Sequence, residues 1–170
     1  DLISYTSENL PQIKNNYKQI FSPQTAYQMT SILEGVVQRG TGKKLKDLNL
    51  QLAGKTGTTN TNTDAWFIGF TSNLVIGVYV GFDNPRTLGK FETGSKTALP
   101  IFKEFVKNSV NNHEARPFKV AKGIKMMVVD ASTGKKAKSN SKSTIIESFK
   151  EEKIANKYKI DIDNIGDVSK

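Results

Sequence analysis

Cysteine is absent from this 170-residue chain, and histidine occurs once, at His113. Without cysteine there are no disulfides, thiolate metal sites or cysteine nucleophiles. With a single histidine, neither a histidine-based metal cluster nor a serine–histidine–aspartate triad is expected from within the chain. His113 lies in the polar run Asn111-Asn112-His113-Glu114 and reads as a solvated helix end. No metal and no cofactor are expected. Long apolar runs are also missing: nothing approaches the roughly 18 residues of a membrane span, and no basic segment precedes an apolar one at the N-terminus. Neither a membrane span nor a signal peptide is therefore visible. Residue 1 is Asp rather than Met, which leaves the natural start open. What is present suits one soluble domain with a real core, since 36% of the residues are hydrophobic.

The net charge of +9 is unevenly spread. Residues 1–114 carry 12 Lys/Arg against 9 Asp/Glu, residues 115–159 carry 12 against 4, and the last eleven residues are net negative. The excess is mostly lysine with almost no interleaved aromatics. Such a stretch can approach nucleic acid, anionic lipid or acidic cell-wall polymer, and equally fits a solvated lysine-rich tail.

Along the chain, residues 1–21 read as irregular and polar. Ser22-Pro23 gives an N-cap and a first-turn proline, and Met29, Ile32, Leu33, Val36 and Val37 follow helical spacing up to a stop at Gly40. The run Gly40-Thr41-Gly42-Lys43-Lys44 reads as a turn before an extended segment, Leu50-Gln51-Leu52-Ala53. After the polar loop 60–63 come Ala65–Phe70 and then Leu74–Phe82, which is apolar on both faces. The short link Thr71-Ser72-Asn73 predicts an antiparallel hairpin at the centre of a sheet. Gly77 and Gly81, two pleats apart, are expected to let a helix pack close. That helix is predicted from about Thr97 to Asn111, with Leu99, Phe102, Phe105, Val106 and Val110 on one side and Pro100 in its first turn. Beyond Arg116-Pro117, Ile124–Asp130 reads as a strand and 131–134 as a turn. Residues 135–144 read as mobile, and Phe149–Lys159 as a short charged helix. No internal repeat is visible. The fold class is α+β, antiparallel strands with flanking helices, divided into residues 1–114 and a basic, partly flexible extension over 115–170.

The most informative stretch is Gly54-Lys55-Thr56-Gly57-Thr58-Thr59. On a strand, alternate residues share a face, so Thr56 and Thr58 present two hydroxyls together, spaced to grip a carboxylate. Lys55 and Gly57 occupy the other phase. Without a side chain at Gly57, substrate backbone can come close and the Lys55 ammonium stays unshielded. A lysine beside a hydroxyl nucleophile stabilises negative charge and biases proton transfer, and a backbone N–H at a strand edge can serve as half of an oxyanion hole.

The stretches Ser22-Pro23-Gln24-Thr25-Ala26-Tyr27, Gly35–Gly42, Ala53–Asn60 and Asp64–Phe70 together resemble the C-terminal half of the transpeptidase domain of class A penicillin-binding proteins. Val80-Gly81-Phe82-Asp83, Glu92-Thr93-Gly94 and Ala98–Phe102 continue the likeness in order. It is strong over 20–107, fair to about 134, and absent beyond. The resemblance implies an incomplete portion of the penicillin-binding protein/serine β-lactamase-like fold, in a parent enzyme that cross-links peptidoglycan. In that family a serine attacks the penultimate D-Ala of a stem peptide and passes the acyl group to an amine, and β-lactams acylate the same serine. Carried over, Lys55 lies beside the active-site serines, while Thr56 and Thr58, with Gly57 between them, bind the carboxylate of substrate or drug. The Thr58 N–H is one oxyanion donor, and the nucleophile's own N–H is the other. The implied partners are D-Ala-D-Ala stem peptides, β-lactams and the N-terminal part of the same enzyme, with no nucleic acid. The implied location is the outer, periplasmic side of a bacterial cytoplasmic membrane, with the anchor and a glycosyltransferase domain upstream.

The family's Ser-x-x-Lys and Ser-x-Asn motifs precede the Lys-Thr-Gly box. Here Ser132-Thr133-Gly134-Lys135 and Ser139-Asn140-Ser141-Lys142 follow it, Ser7-Glu8-Asn9 stands too close to it, and Ser109-Val110-Asn111 ends a helix. All four read as chance matches, so the nucleophile is absent and the chain alone is expected to be inert, marginally stable and to leave apolar sheet surface uncovered. Two other readings compete. A phosphate loop ending in Gly54-Lys55-Thr56 needs a glycine at position 49, which is Asn49, in a loop where the chain reads as extended. A non-catalytic basic module would instead bind acidic polymer or nucleic acid through residues 115–170.

Overall fold

A computed structural model describes residues 18–110 and 116–151. The readings at residues 1–17, His113 and 152–159 lie outside the described residues. Helix α1 spans Pro23–Gln38, capped by the Ser22 hydroxyl, which accepts from the Thr25 amide. A 3-10 helix, Lys43–Leu48, follows where the sequence predicts only a turn, and Asn49 ends it in the left-handed region at φ 53°. Strands β1 (Ala53–Thr58), β2 (Ala65–Phe70) and β3 (Val75–Val80) form an antiparallel meander with β2 in the middle. Helix α2 spans Ala98–Ser109, and strands β4 (Ile124–Asp130) and β5 (Thr144–Lys150) make a separate antiparallel hairpin.

The meander has one packed face. Gly54, Thr56 and Thr58 of β1 share it with Ala65, Phe67 and Gly69 of β2. Phe67 meets Phe102 of α2 edge to face, with ring centroids 4.7 Å apart. Leu99 and Val106 of α2, Val37 of α1, Leu45 of the 3-10 helix and Leu52 complete the buried cluster. As expected, α2 covers the sheet, and its buried stripe is Leu99, Phe102 and Val106, whereas Phe105 is half exposed.

The glycine that admits α2 is Gly69, not Gly77 or Gly81. A Cβ on Gly69 would stand 2.6 Å from the Phe102 ring. One on Gly77 would meet only Ile68, at 3.9 Å, and one on Gly81 would strike Tyr79 and Asp64. The pleat explains this: Gly77 pairs with Ile68 on the outward face, whereas Gly69 shares the face of Phe67. β3 is an edge strand among the described residues rather than central, and Val75 (71% exposed) and Tyr79 (49%) lie open. With Trp66 and Ile68 they form the uncovered apolar sheet surface that the sequence predicts. In α1, Met29 and Ile32 are also half exposed, because the stripe that packs inward contains Val37 and the buried Gly35.

The second hairpin corrects the sequence reading of Phe149 and Lys150. These are the last residues of β5, where Phe149 pairs with Lys125, and not the start of a helix. Pairing with β4 overrides the helix-favouring charged run that follows them. Of residues 135–144, read as mobile, 135–143 lie in the hairpin connection, with the Ala137 amide donating to Val128 O at 3.0 Å, and Thr144 begins β5. The hairpin meets α1 through polar contacts: Gln24 to Lys122 O, Gln28 to Ser148 O, Lys150 to Thr25 Oγ1, and the ion pair of Arg39 with Glu147.

Candidate active-site strand

The Lys-Thr-Gly box occupies β1, an edge strand whose only partner is β2 among the described residues. Its polarity follows from the hydrogen-bond pattern. The Thr59 amide donates to Asp64 O at 3.2 Å, so Thr59 and Asp64 form a hydrogen-bonded pair. Pairs alternate along an antiparallel ladder, which makes Thr58↔Ala65 and Thr56↔Phe67 non-bonded pairs whose backbone groups point away from each other. The N–H and C=O of Thr56 and Thr58 therefore line the outer edge. Consistently, Thr56 O is available to accept from Lys55 Nζ at 2.9 Å.

The side chains divide as the strand phase predicts. Lys55 is exposed, on the face that carries Gly57, Trp66 and Ile68. A Cβ on Gly57 would press on Trp66 Cβ at 3.2 Å, so the glycine leaves room for the Trp66 side chain on this face. Thr56 and Thr58 share the opposite face, and each hydroxyl is braced. Thr56 Oγ1 is 3.0 Å from Thr41 Oγ1, and Thr58 Oγ1 accepts the Gly94 amide at 3.0 Å. Because it accepts there, the Thr58 hydroxyl keeps its own proton for a ligand acceptor.

Sequence reasoning about the strand did not identify these braces. Thr41 and Gly94 are 15 and 36 residues from their partners, and neither pairing leaves a local signal. Gly94 belongs to a loop held on several sides: Leu88 N donates to Asn62 O, Thr97 Oγ1 to Glu92 Oε2, and Leu99 N to Gly94 O. The end of β1 is fixed by the Thr59 hydroxyl, which accepts the Thr63 and Asp64 amides, while Tyr79 OH donates to Asp64 Oδ1 at 2.8 Å. Hydrogen bonding to the Asp64 carboxylate, with a smaller contribution from burial, raises the Tyr79 pKa.

The serine-containing strings stay away from this strand. Ser132 closes the turn after β4, where its hydroxyl and amide both donate to Asp130 Oδ1. Ser139 is exposed in the same hairpin's connection, and Ser109 ends α2. Ser7, Glu8, Asn9 and Asn111 lie outside the described residues. Among the described residues there is no group of three or more His, Asp or Glu able to hold a metal, and no helix long and apolar enough to cross a membrane.

Comparison with known proteins gives a consistent result. The family described as "Penicillin binding protein transpeptidase domain" matches residues 7–107, more than half of the chain. Penicillin-binding protein 1A of Rickettsia conorii is 48% identical over 124 residues, covering 73% of this chain and 15% of that protein. Penicillin-binding protein 1A of Pseudomonas aeruginosa is 40% identical over 136 residues, covering 79% and 16%. The crystal structure of penicillin-binding protein 1A from Haemophilus influenzae superposes with a TM-score of 0.68 at 30% identity, over 76% of this chain and 20% of that one. The chain thus spans about a fifth or less of the length of these relatives. With an edge strand carrying the Lys-Thr-Gly box and the surrounding fold matched in both sequence and structure, this chain belongs to the penicillin-binding protein transpeptidase family.

Proposed function

We propose that this chain supplies the substrate-binding strand of a peptidoglycan D,D-transpeptidase that works through an acyl-serine intermediate and binds β-lactams. The observation that carries the reading is the outer edge of β1. There the Thr58 amide faces outward, and Thr56 and Thr58 hold braced hydroxyls on one face. A D-Ala-D-Ala peptide running along this edge meets backbone donors and acceptors in strand spacing. Its terminal carboxylate is received by the hydroxyls of Thr56 and Thr58. The lack of a side chain at Gly57 lets the ligand backbone approach, and the Thr58 amide donates to the oxygen on which negative charge develops. Lys55 provides a positive charge beside the nucleophile, lowering the cost of the serine alkoxide and of the tetrahedral intermediate.

The serine comes from a part of the enzyme outside these residues, which also covers the outward face of Trp66, Ile68, Val75 and Tyr79. Enzyme and substrate meet on the outer side of the cytoplasmic membrane in the bacterial envelope. The test is a fluorescent penicillin. The 170-residue chain alone is expected to remain unlabelled, and co-expression with the N-terminal part of the same enzyme is expected to give a labelled complex. Covalent labelling of the chain by itself would falsify the placement of the nucleophile.

A further inference from the structure

Thr41 stands outside the meander, in the turn that links α1 to the 3-10 helix, yet its Oγ1 lies 3.0 Å from Thr56 Oγ1. It is the one side chain in the run Gly40-Thr41-Gly42.

That turn is pinned at both flanks. The amides of Gly40 and Gly42 both donate to Val36 O, at 3.1 and 2.9 Å, which folds the turn back onto the end of α1. Side chains at the flanking positions would press on backbone. A Cβ on Gly40 would stand 2.9 Å from Val36 Cα, and one on Gly42 3.1 Å from Val36 O. On the far side the Leu45 amide donates to Gly42 O, and Leu45 is fully buried in the core. The backbone that carries Thr41 is therefore fixed relative to α1 and to the core, and its hydroxyl reaches β1.

What the contact does follows from the capacity of a hydroxyl, which donates once and accepts twice. When the Thr56 proton goes to a ligand carboxylate, the 3.0 Å contact survives only with Thr41 as its donor. Thr56 then matches Thr58, which accepts from the Gly94 amide and keeps its own proton. A fixed partner behind the hydroxyl also selects one of the staggered χ1 wells open to a threonine.

We propose that Thr41 is a positioning residue for the carboxylate site: it donates to Thr56 and aims the Thr56 proton at the ligand. This rests on the reading of β1 as the carboxylate-binding strand, and it extends the site to the turn after α1.

The test uses the assembled enzyme and two forms of one fluorescent penicillin, the free acid and its carboxylate methyl ester. Acylation rates are compared for the parent, Thr41→Val, Thr41→Ser and Thr58→Val. Thr41→Val keeps the bulk of the side chain and loses the hydroxyl. It should slow acylation by the free acid roughly threefold to tenfold, the size of one ordinary hydrogen bond, and leave the ester rate unchanged. Thr41→Ser should restore the parent rate. If the valine variant fails to assemble, Thr41→Ala supplies the same comparison. Equal slowing of acid and ester, no slowing at all, or a serine variant as slow as valine overturns the positioning role. The strand reading stands in each of those cases so long as Thr58→Val slows the acid selectively. A parent enzyme without preference for the acid, or a Thr58→Val enzyme that keeps the full preference, removes the strand reading and the role of Thr41 together.

Discussion

The amide of Gly94 donates to the side chain of Thr58 over 3.0 Å, joining the loop before α2 to the last residue of β1. The contact is possible only because Gly94 lies flat on the strand. A Cβ there would stand 2.3 Å from Trp66 O and 2.6 Å from Gly57 O. Both obstacles are backbone atoms of a paired ladder and cannot swing aside. Gly94→Ala is therefore expected to lower stability by at least about 2 kcal/mol, at the upper end of ordinary overpacking costs. Urea unfolding of the two chains gives the comparison, and a loss under about 0.5 kcal/mol would contradict the packing.

The Thr58 hydroxyl gives a prediction about activity. Thr58→Val keeps the shape of the side chain and removes both the acceptor for Gly94 and the proton that the proposed function assigns to a ligand carboxylate. A hydrogen bond to a charged group contributes about 1.5–3 kcal/mol, so acylation by penicillin should slow roughly tenfold to a hundredfold. Thr58→Ser should retain most of the rate. The measurement is the rate of fluorescent-penicillin labelling in the assembled enzyme, where equal rates for Val and Ser would remove Thr58 from the carboxylate site.

Two phenylalanines on α2 separate core from surface. Phe102 is fully buried against Phe67 and Gly69, and Phe102→Ala should cost about 3–5 kcal/mol, from lost transfer energy plus the cavity left behind. Phe105, three residues on and half exposed, should cost under about 1.5 kcal/mol on the same change. Similar losses for the two in denaturant unfolding would mean that α2 is rotated relative to the geometry described.

The turn after β4 carries a pH signature. The Asp130 carboxyl is held down to about 2, first by the Ser132 hydroxyl and then by Ser141 and the turn amides. A carboxyl lowered in the folded state stabilises that state above the unfolded value of about 3.9, and the contribution disappears as pH falls through about 2. The Ser132 and Thr133 amide resonances should therefore titrate near pH 2, not near 4. In Asp130→Asn that transition should vanish while the rest of the spectrum keeps its own acid response.

Much of the strand meander was legible because it is local. The apolar runs around Thr71-Ser72-Asn73 announce β2 and β3, and the Lys55–Thr58 phase follows from the period of a strand. The choice among glycines was not legible. Gly69, Gly77 and Gly81 look alike in a sequence, and only the register decides which of them faces Phe102. The same limit hid Thr41 and Gly94 as braces, since each bond spans a fold that has to exist first. The 3-10 helix at Lys43–Leu48 is shorter than the window in which helical spacing emerges, and it depends on Asn49 adopting positive φ. β5 was misread because Phe149-Lys150-Glu151 favours a helix locally, while Ile145 and Ile146 form a strand only once β4 is alongside.

The hairpin of β4 and β5 is joined to α1 by the contacts of Gln24, Gln28, Thr25 and Arg39, whose partners lie 98 to 125 residues away. These are polar bonds closed over long stretches of chain, so each brings little apolar burial to offset the entropy of closure. The meander and α2, by contrast, share a buried apolar core with Val37 of α1 and Leu45 of the 3-10 helix. The molecule is thus built in two tiers of cooperativity. The meander amides should be the last to exchange with solvent, and the docking of the second hairpin on α1 the first event of unfolding and the last of assembly.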